Sequence, residues 1–141
     1  MKYLKYYITP VLAPVVMIGI LLGGHWMWMG LVVLFIIVIG GDMVFGKDRS
    51  ASEYKHPWLV ELPLHLALPL VVLLLLSLAW ASGSVEQDFL GIGQFLTGLF
   101  LYDFLEARNA NVWTDYLGAA LGAGFMVAGY ATNVGHELTH R

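Results

Sequence analysis

The sequence predicts an all-α fold: a polytopic transmembrane helical bundle of about four spans plus one interfacial or re-entrant segment. Three observations carry that expectation. Of 141 residues, 59% are hydrophobic and only 12% are charged, roughly half the charged share of an ordinary soluble domain. Mean hydropathy is +0.74, and a globule this small leaves too much surface in water to hide so much apolar area. Finally, uncharged runs long enough to cross a bilayer, about 20 apolar residues, recur along the chain. Glycine (16) and proline (5) fit this class, both being commoner in membrane helices than in soluble ones.

The elements follow in order. From Tyr6 to Gly41 there are 36 consecutive residues without Asp, Glu, Lys or Arg, too many for one span and enough for two. Gly23-Gly24-His25 is the natural break, because glycine permits a tight reversal. Span one is expected over about 7–23 and span two over about 26–45. Lys2 and Lys5 before an apolar run suggest a signal peptide, but Pro10, Pro14 and the immediate second span argue against cleavage. Residues 47–56 form the most polar stretch, and span three follows over about 57–81. The last long apolar segment covers about 113–135. Between them, residues 89–105 are apolar but carry Gln94 and end in Asp103 and Glu106. Six of the seven Lys and Arg residues fall on one side of the membrane whether or not that segment crosses. The C-terminal chemistry favours four spans with both ends cytoplasmic. One membrane domain over 1–141 is expected, with no internal repeat.

Composition also excludes functions. A net charge of −3 supplies no cationic field for nucleic acid. The absence of cysteine removes disulfides, thiolate zinc sites, iron–sulfur clusters and a thiol nucleophile.

The chain ends Asn133-Val134-Gly135-His136-Glu137-Leu138-Thr139-His140-Arg141. Positions four apart share a helix face, so His136 and His140 are candidate ligands of one metal ion, as in any H-E-x-x-H helix. Glu137 lies about 100° away around the helix. Ionisable groups at the mouth of a long apolar helix are functional candidates. The motif alone fits zinc hydrolysis with Glu137 as general base, as in an intramembrane metalloprotease. It also fits another metal, or a non-catalytic truncated membrane protein with two interfacial histidines. His65, behind Pro63, is either a residue near a substrate channel or one bonded to a carbonyl that the proline frees. His25 reads as an interfacial anchor. Asp42 and Asp48 read as helix-capping or bracing groups, and Asp103, Glu106 and Arg108 as a solvated interfacial face. Gly118 and Gly122 form a G-x-x-x-G suited to close helix packing.

The nine residues from Asn133 to Arg141 resemble the first histidine motif of the membrane-bound alkane 1-monooxygenases and the xylene monooxygenase hydroxylase subunits, in the fatty acid desaturase-like superfamily. Lys5 to Pro10, Gly23 to Gly30, the D-x-x-x-G-x-D from Asp42 to Asp48, and Pro63-Leu64-His65 extend the likeness. It is weakest from Ser82 to Trp113. The resemblance implies C–H hydroxylation of an alkane, alkyl aromatic or fatty acyl chain with dioxygen. It also implies a centre of two iron ions at the cytoplasmic face of a bacterial inner membrane, with electrons from a rubredoxin or ferredoxin-type donor. A redox metal suits that chemistry where zinc does not. Trp28 becomes a substrate-channel candidate beside His65, since an aromatic residue of this region limits chain entry in related hydroxylases. The family's further H-x-x-H-H clusters lie downstream of the first motif. Only two of these five histidines have ligand spacing, so the diiron centre is incomplete in this chain. The chain is therefore expected to be an N-terminal portion of a longer hydroxylase, inactive by itself.

Overall fold

The computed structural model describes residues 4–45, 58–84 and 88–139, and among them every regular element is helical. In chain order these are α1 (Leu4–Leu22), α2 (Met29–Phe45), α3 (Trp58–Ser82), α4 (Ile92–Leu99), α5 (Phe104–Asn109) and α6 (Trp113–Thr139). At 1.5 Å per residue the four long helices α1, α2, α3 and α6 measure from about 25 to about 40 Å. By length and apolarity, Glu61–Ser82 within α3 is sufficient to cross a bilayer, whereas Tyr7–Leu22 and Gly24–Ile37 are shorter apolar stretches. Four long helices thus stand where four spans are expected, and among the described residues one of them meets that test.

Helix α1 presents Leu12, Ala13, Val16 and Ile20 to the core, the i, i+3/i+4 face of one helix. It reverses at Gly23 and Gly24, whose φ values are 71° and 54°. A side chain at Gly23 would meet that backbone cost and also lie 2.9 Å from Asn111 Oδ1. Residues 24–28 then wind as a 3-10 turn. The second long helix therefore begins at Met29 rather than at 26. The G-x-x-x-G expectation holds: a Cβ on Gly118 would come 2.7 Å from the Trp28 ring, and one on Gly122 would come 3.3 Å from Leu31 N. Here α2 and α6 pack almost backbone to backbone.

Two prolines interrupt α3. Pro63 has no N–H to give the carbonyl of Leu59 one turn earlier. The Tyr7 hydroxyl donates to that carbonyl at 2.9 Å, which ties the start of α1 to the start of α3. At the opposite end Tyr102 Oη donates to Leu22 O at 2.6 Å, and Gly24 N donates to Asn111 Oδ1 at 2.6 Å. The end of α1, the end of α3 and the start of α6 therefore meet at one end of the bundle. The starts of α1 and α3 lie at the other, with the end of α6.

The segment 89–105 is not one continuous helix. Leu90 and Gly91, at φ 61° and 65°, break it, and the eight residues of α4 rise only about 12 Å against a bilayer core of about 30 Å. Asp103 caps α5 by accepting from Leu105 N and Glu106 N. At the start of α6, Asp115 Oδ2 accepts from Val112 N at 2.9 Å, which satisfies one of the orphan donors of a helix N-terminus.

Candidate functional site

His136 lies in the last turns of α6, four residues beyond Thr132. His140, His56 and Asp48 lie outside the described residues, while Asp42 falls in the last turn of α2. The starts of α1 and α3 share the His136 end of the bundle. Trp28 sits at the far end, against Gly118, about 27 Å from position 136 along α6. His65 is on an exposed face of α3. Its Nδ1 lies 2.9 Å from Glu61 O, whereas the carbonyl freed by Pro63 is the one Tyr7 occupies. His25 is exposed in the turn between α1 and α2.

A cavity of about 530 Å³ opens in the half of the bundle nearer His136. Its walls are Ile8, Thr9 and Leu12 of α1, Leu34, Phe35 and Ile37 of α2, and Phe125, Met126, Ala128, Gly129 and Thr132 of α6. The cavity exists because α2 and α6, in contact at Leu31 and Gly122, leave a gap beyond that point. Its lining is apolar apart from two threonines, and the Thr132 hydroxyl already donates to Ala128 O at 2.8 Å. An engineered apolar cavity of about 150 Å³ holds benzene, so this one has room for an alkylbenzene or a medium-length alkyl chain.

Helical register links the cavity to the histidine motif. Phe125, Gly129 and Thr132 lie on one face of α6, and position 136 is four residues past Thr132 and seven past Gly129, on that same face. The step from Thr132 to position 136 is about 6 Å along the axis. A smaller cavity of about 230 Å³ lies between α3 and α6, lined by Leu64, Ala67, Leu68, Val71, Val127, Tyr130 and Ala131. The Tyr130 hydroxyl is buried with no hydrogen-bond partner among the described residues. Trp28 and His65 line neither cavity.

The far end carries a polar cluster that sequence reasoning missed. Arg108 is not solvated: it is 3% exposed, its guanidinium lies 5.0 Å from the Trp80 ring centroid, and Nη2 donates to Ser84 O at 3.2 Å. Trp80 Nε1 donates to Asp88 Oδ1, and the Asp88 carboxylate also accepts from Gly93 N and Gln94 N. Burial raises the Asp88 pKa. The bond from Trp80, the two backbone N–H groups and the Arg108 charge outweigh that effect and hold it below its ordinary value. The cluster fastens α4 and α5 to the end of α3. Its sequence signal was weak: one arginine and one aspartate, 20 residues apart, in an apolar stretch.

Among the described residues no group of three or more His, Asp or Glu side chains is placed to hold a metal ion. The i, i+4 pair His136 and His140 would supply two imidazoles, and two irons need more ligands than that. His25 lies at the opposite end, and His65 is engaged with Glu61 O. The described residues do not complete a diiron centre.

No family model matches the sequence, and no solved structure matches it. The xylene/toluene monooxygenase hydroxylase component of Pseudomonas putida is 34% identical to it over 88 residues. The two are distant relatives. The aligned region is 61% of this chain and 23% of that protein, so the chain spans under a quarter of the length of the curated relative it matches.

Proposed function

We propose that this chain is a membrane-embedded, substrate-binding portion of a non-haem iron monooxygenase that hydroxylates an apolar molecule with dioxygen. The cavity between α1, α2 and α6 is its substrate site. The observation that carries this reading is the apolar cavity whose α6 wall continues in register to His136. The distant likeness to a xylene/toluene monooxygenase hydroxylase component supports the reaction class. An alkylbenzene or alkyl chain fits the volume, and all four long helices cross the bilayer. Support for that placement comes from the lipid-suited outer surface, where Val32, Ile36, Leu68, Leu73 and Leu121 are exposed. Exposed apolar area of this extent suits lipid rather than water.

The His136 end is cytoplasmic in this reading, because Lys2, Lys5, Lys47, Arg49, Lys55 and Arg141 flank in sequence the helix ends found there. There a rubredoxin or ferredoxin-type protein has access. In this reading His136 and His140 would supply imidazoles to hold iron, and iron would supply the dioxygen activation that zinc lacks.

Two measurements test the proposal. Native membranes given reduced ferredoxin or rubredoxin, ¹⁸O₂ and toluene, p-xylene or octane are expected to yield the alcohol with one ¹⁸O atom, and His136→Ala abolishes it. Product that persists in His136→Ala membranes refutes the ligand role, and product oxygen drawn from water refutes the monooxygenase. The purified 141-residue chain is expected to bind these hydrocarbons without turning them over.

A further inference from the structure

We propose that the Phe35–Phe125 pair is a lateral gate through which hydrocarbon dissolved in the bilayer enters the α1–α2–α6 cavity. This rests on the substrate-cavity reading above and deepens it by naming the source and route of the substrate. The two rings meet edge to face, centroids 6.1 Å apart and planes at 64°. Both line the cavity, yet each is about half exposed, at 47% and 51%. A residue that lines a cavity and is half exposed belongs to the part of the wall that reaches the surface. Val32 and Ile36 are exposed on the same stretch of α2, so the outer side of that wall faces lipid.

The surroundings leave the rings free to part. On α6, the neighbours one turn beyond Phe125 are Ala128 and Gly129, and no atom lies within 4 Å of where a Gly129 side chain would begin. Phe125 leans back over the preceding turn, where Gly122 offers no side chain, and an exposed aromatic ring changes rotamer on a fast timescale. The route along the bundle axis toward the far end is shut. A Cβ on Gly30 would be 2.8 Å from Val16, and the Gly122 and Gly118 positions close on Leu31 and Trp28. A molecule arriving by the gate never enters water, which suits a substrate that partitions into lipid.

The chain has no cysteine, so one thiol placed in the cavity reports access without background. Leu12→Cys puts it on the inner wall, at a position 6% exposed. The full chain in lipid nanodiscs is treated with N-benzylmaleimide, which dissolves in the bilayer, or with a charged methanethiosulfonate, which does not. The maleimide is expected to modify the introduced thiol faster. Phe125→Ala or Phe35→Ala should accelerate that reaction about 2- to 10-fold, the population change that loss of one edge-to-face pair allows. Phe125→Trp should slow it. Gly124→Leu, outside the cavity lining and with open space around it, should leave it unchanged and controls for folding.

If neither ring substitution alters the maleimide rate, the gate is refuted while the cavity stands. If the charged reagent reacts as fast as the maleimide, entry is from water at the Thr9–Thr132 end and the gate is refuted. If neither reagent modifies the introduced thiol in any variant, the substrate-cavity reading itself fails.

Discussion

Tyr7→Phe removes one oxygen atom and tests how a proline in a long apolar helix is accommodated. Pro63 deprives Leu59 O of its donor, and Tyr7 Oη fills the vacancy at 2.9 Å. Loss of the hydroxyl leaves that acceptor unsatisfied, in an environment where measured side-chain hydrogen bonds average about 0.6 kcal/mol and reach about 1.7. Because the bond is only partly buried at the start of α3, we expect a loss of about 0.5–1 kcal/mol, near the middle of that range. Pro63→Ala restores an N–H at the right place, so Leu59 O acquires its intrahelical donor and no longer depends on Tyr7. In the Pro63→Ala background, Tyr7→Phe should therefore cost no more than a few tenths of a kcal/mol, the range expected when the two sites no longer share a partner. The assay is reversible unfolding in mixed micelles by increasing SDS fraction, run on all four proteins of the cycle. Equal losses in the two backgrounds would show that Tyr7 does not act through Leu59.

Other expectations concern the far end and the packing between helices. Gly118→Ala sets a methyl 2.7 Å from the Trp28 ring and should destabilise by about 1–3 kcal/mol, with Trp28 fluorescence shifted in the same samples. Arg108→Met removes the donor to Ser84 O and the cation over Trp80; a loss of about 2–3 kcal/mol is expected, and an unchanged unfolding midpoint would refute the anchoring role. Asp88 has a folded pKa below its ordinary value of 3.8. Its stabilisation is thus fully present above that value and disappears as pH falls through the lower folded one. Melting midpoints measured from pH 6 down to pH 2 should show this acid-side loss, and Asp88→Asn should flatten it.

Much of the architecture was legible because its signals are local. Apolar run length, the glycine pair at 23–24 and the spacing of Gly118 and Gly122 depend on residues within a few turns. They suffice to place the four long helices to within a few residues and to foresee close packing on α6. The short segment 89–105 was legible only as an ambiguity. Charge counting balances equally for both layouts, and the breaks at Leu90 and Gly91, which divide the segment into short pieces, leave no signal in hydropathy. The histidine pair is a matter of register on one helix and needs no tertiary information to be noticed.

Partnership across the chain is what the sequence leaves open. Tyr7 and Leu59 are 52 positions apart, Gly24 and Asn111 are 87, and Arg108 and Trp80 are 28. Nothing in hydropathy periodicity selects those pairs. In an apolar helix the phenol, the guanidinium and the proline-freed carbonyl look like isolated exceptions until packing brings each to its complement. The cavity belongs to the same class of fact. Ile8, Phe35 and Phe125 are ordinary apolar residues in three separate runs. They become walls of one space only because α2 and α6 touch at Leu31 and Gly122 and leave a gap beyond. Sequence determined which helices form and which faces are apolar, since both follow from local periodicity and bilayer thickness. The meeting of those faces, and the gap between them, depends on side-chain shape at contacts distant in sequence, and only the tertiary structure decided it.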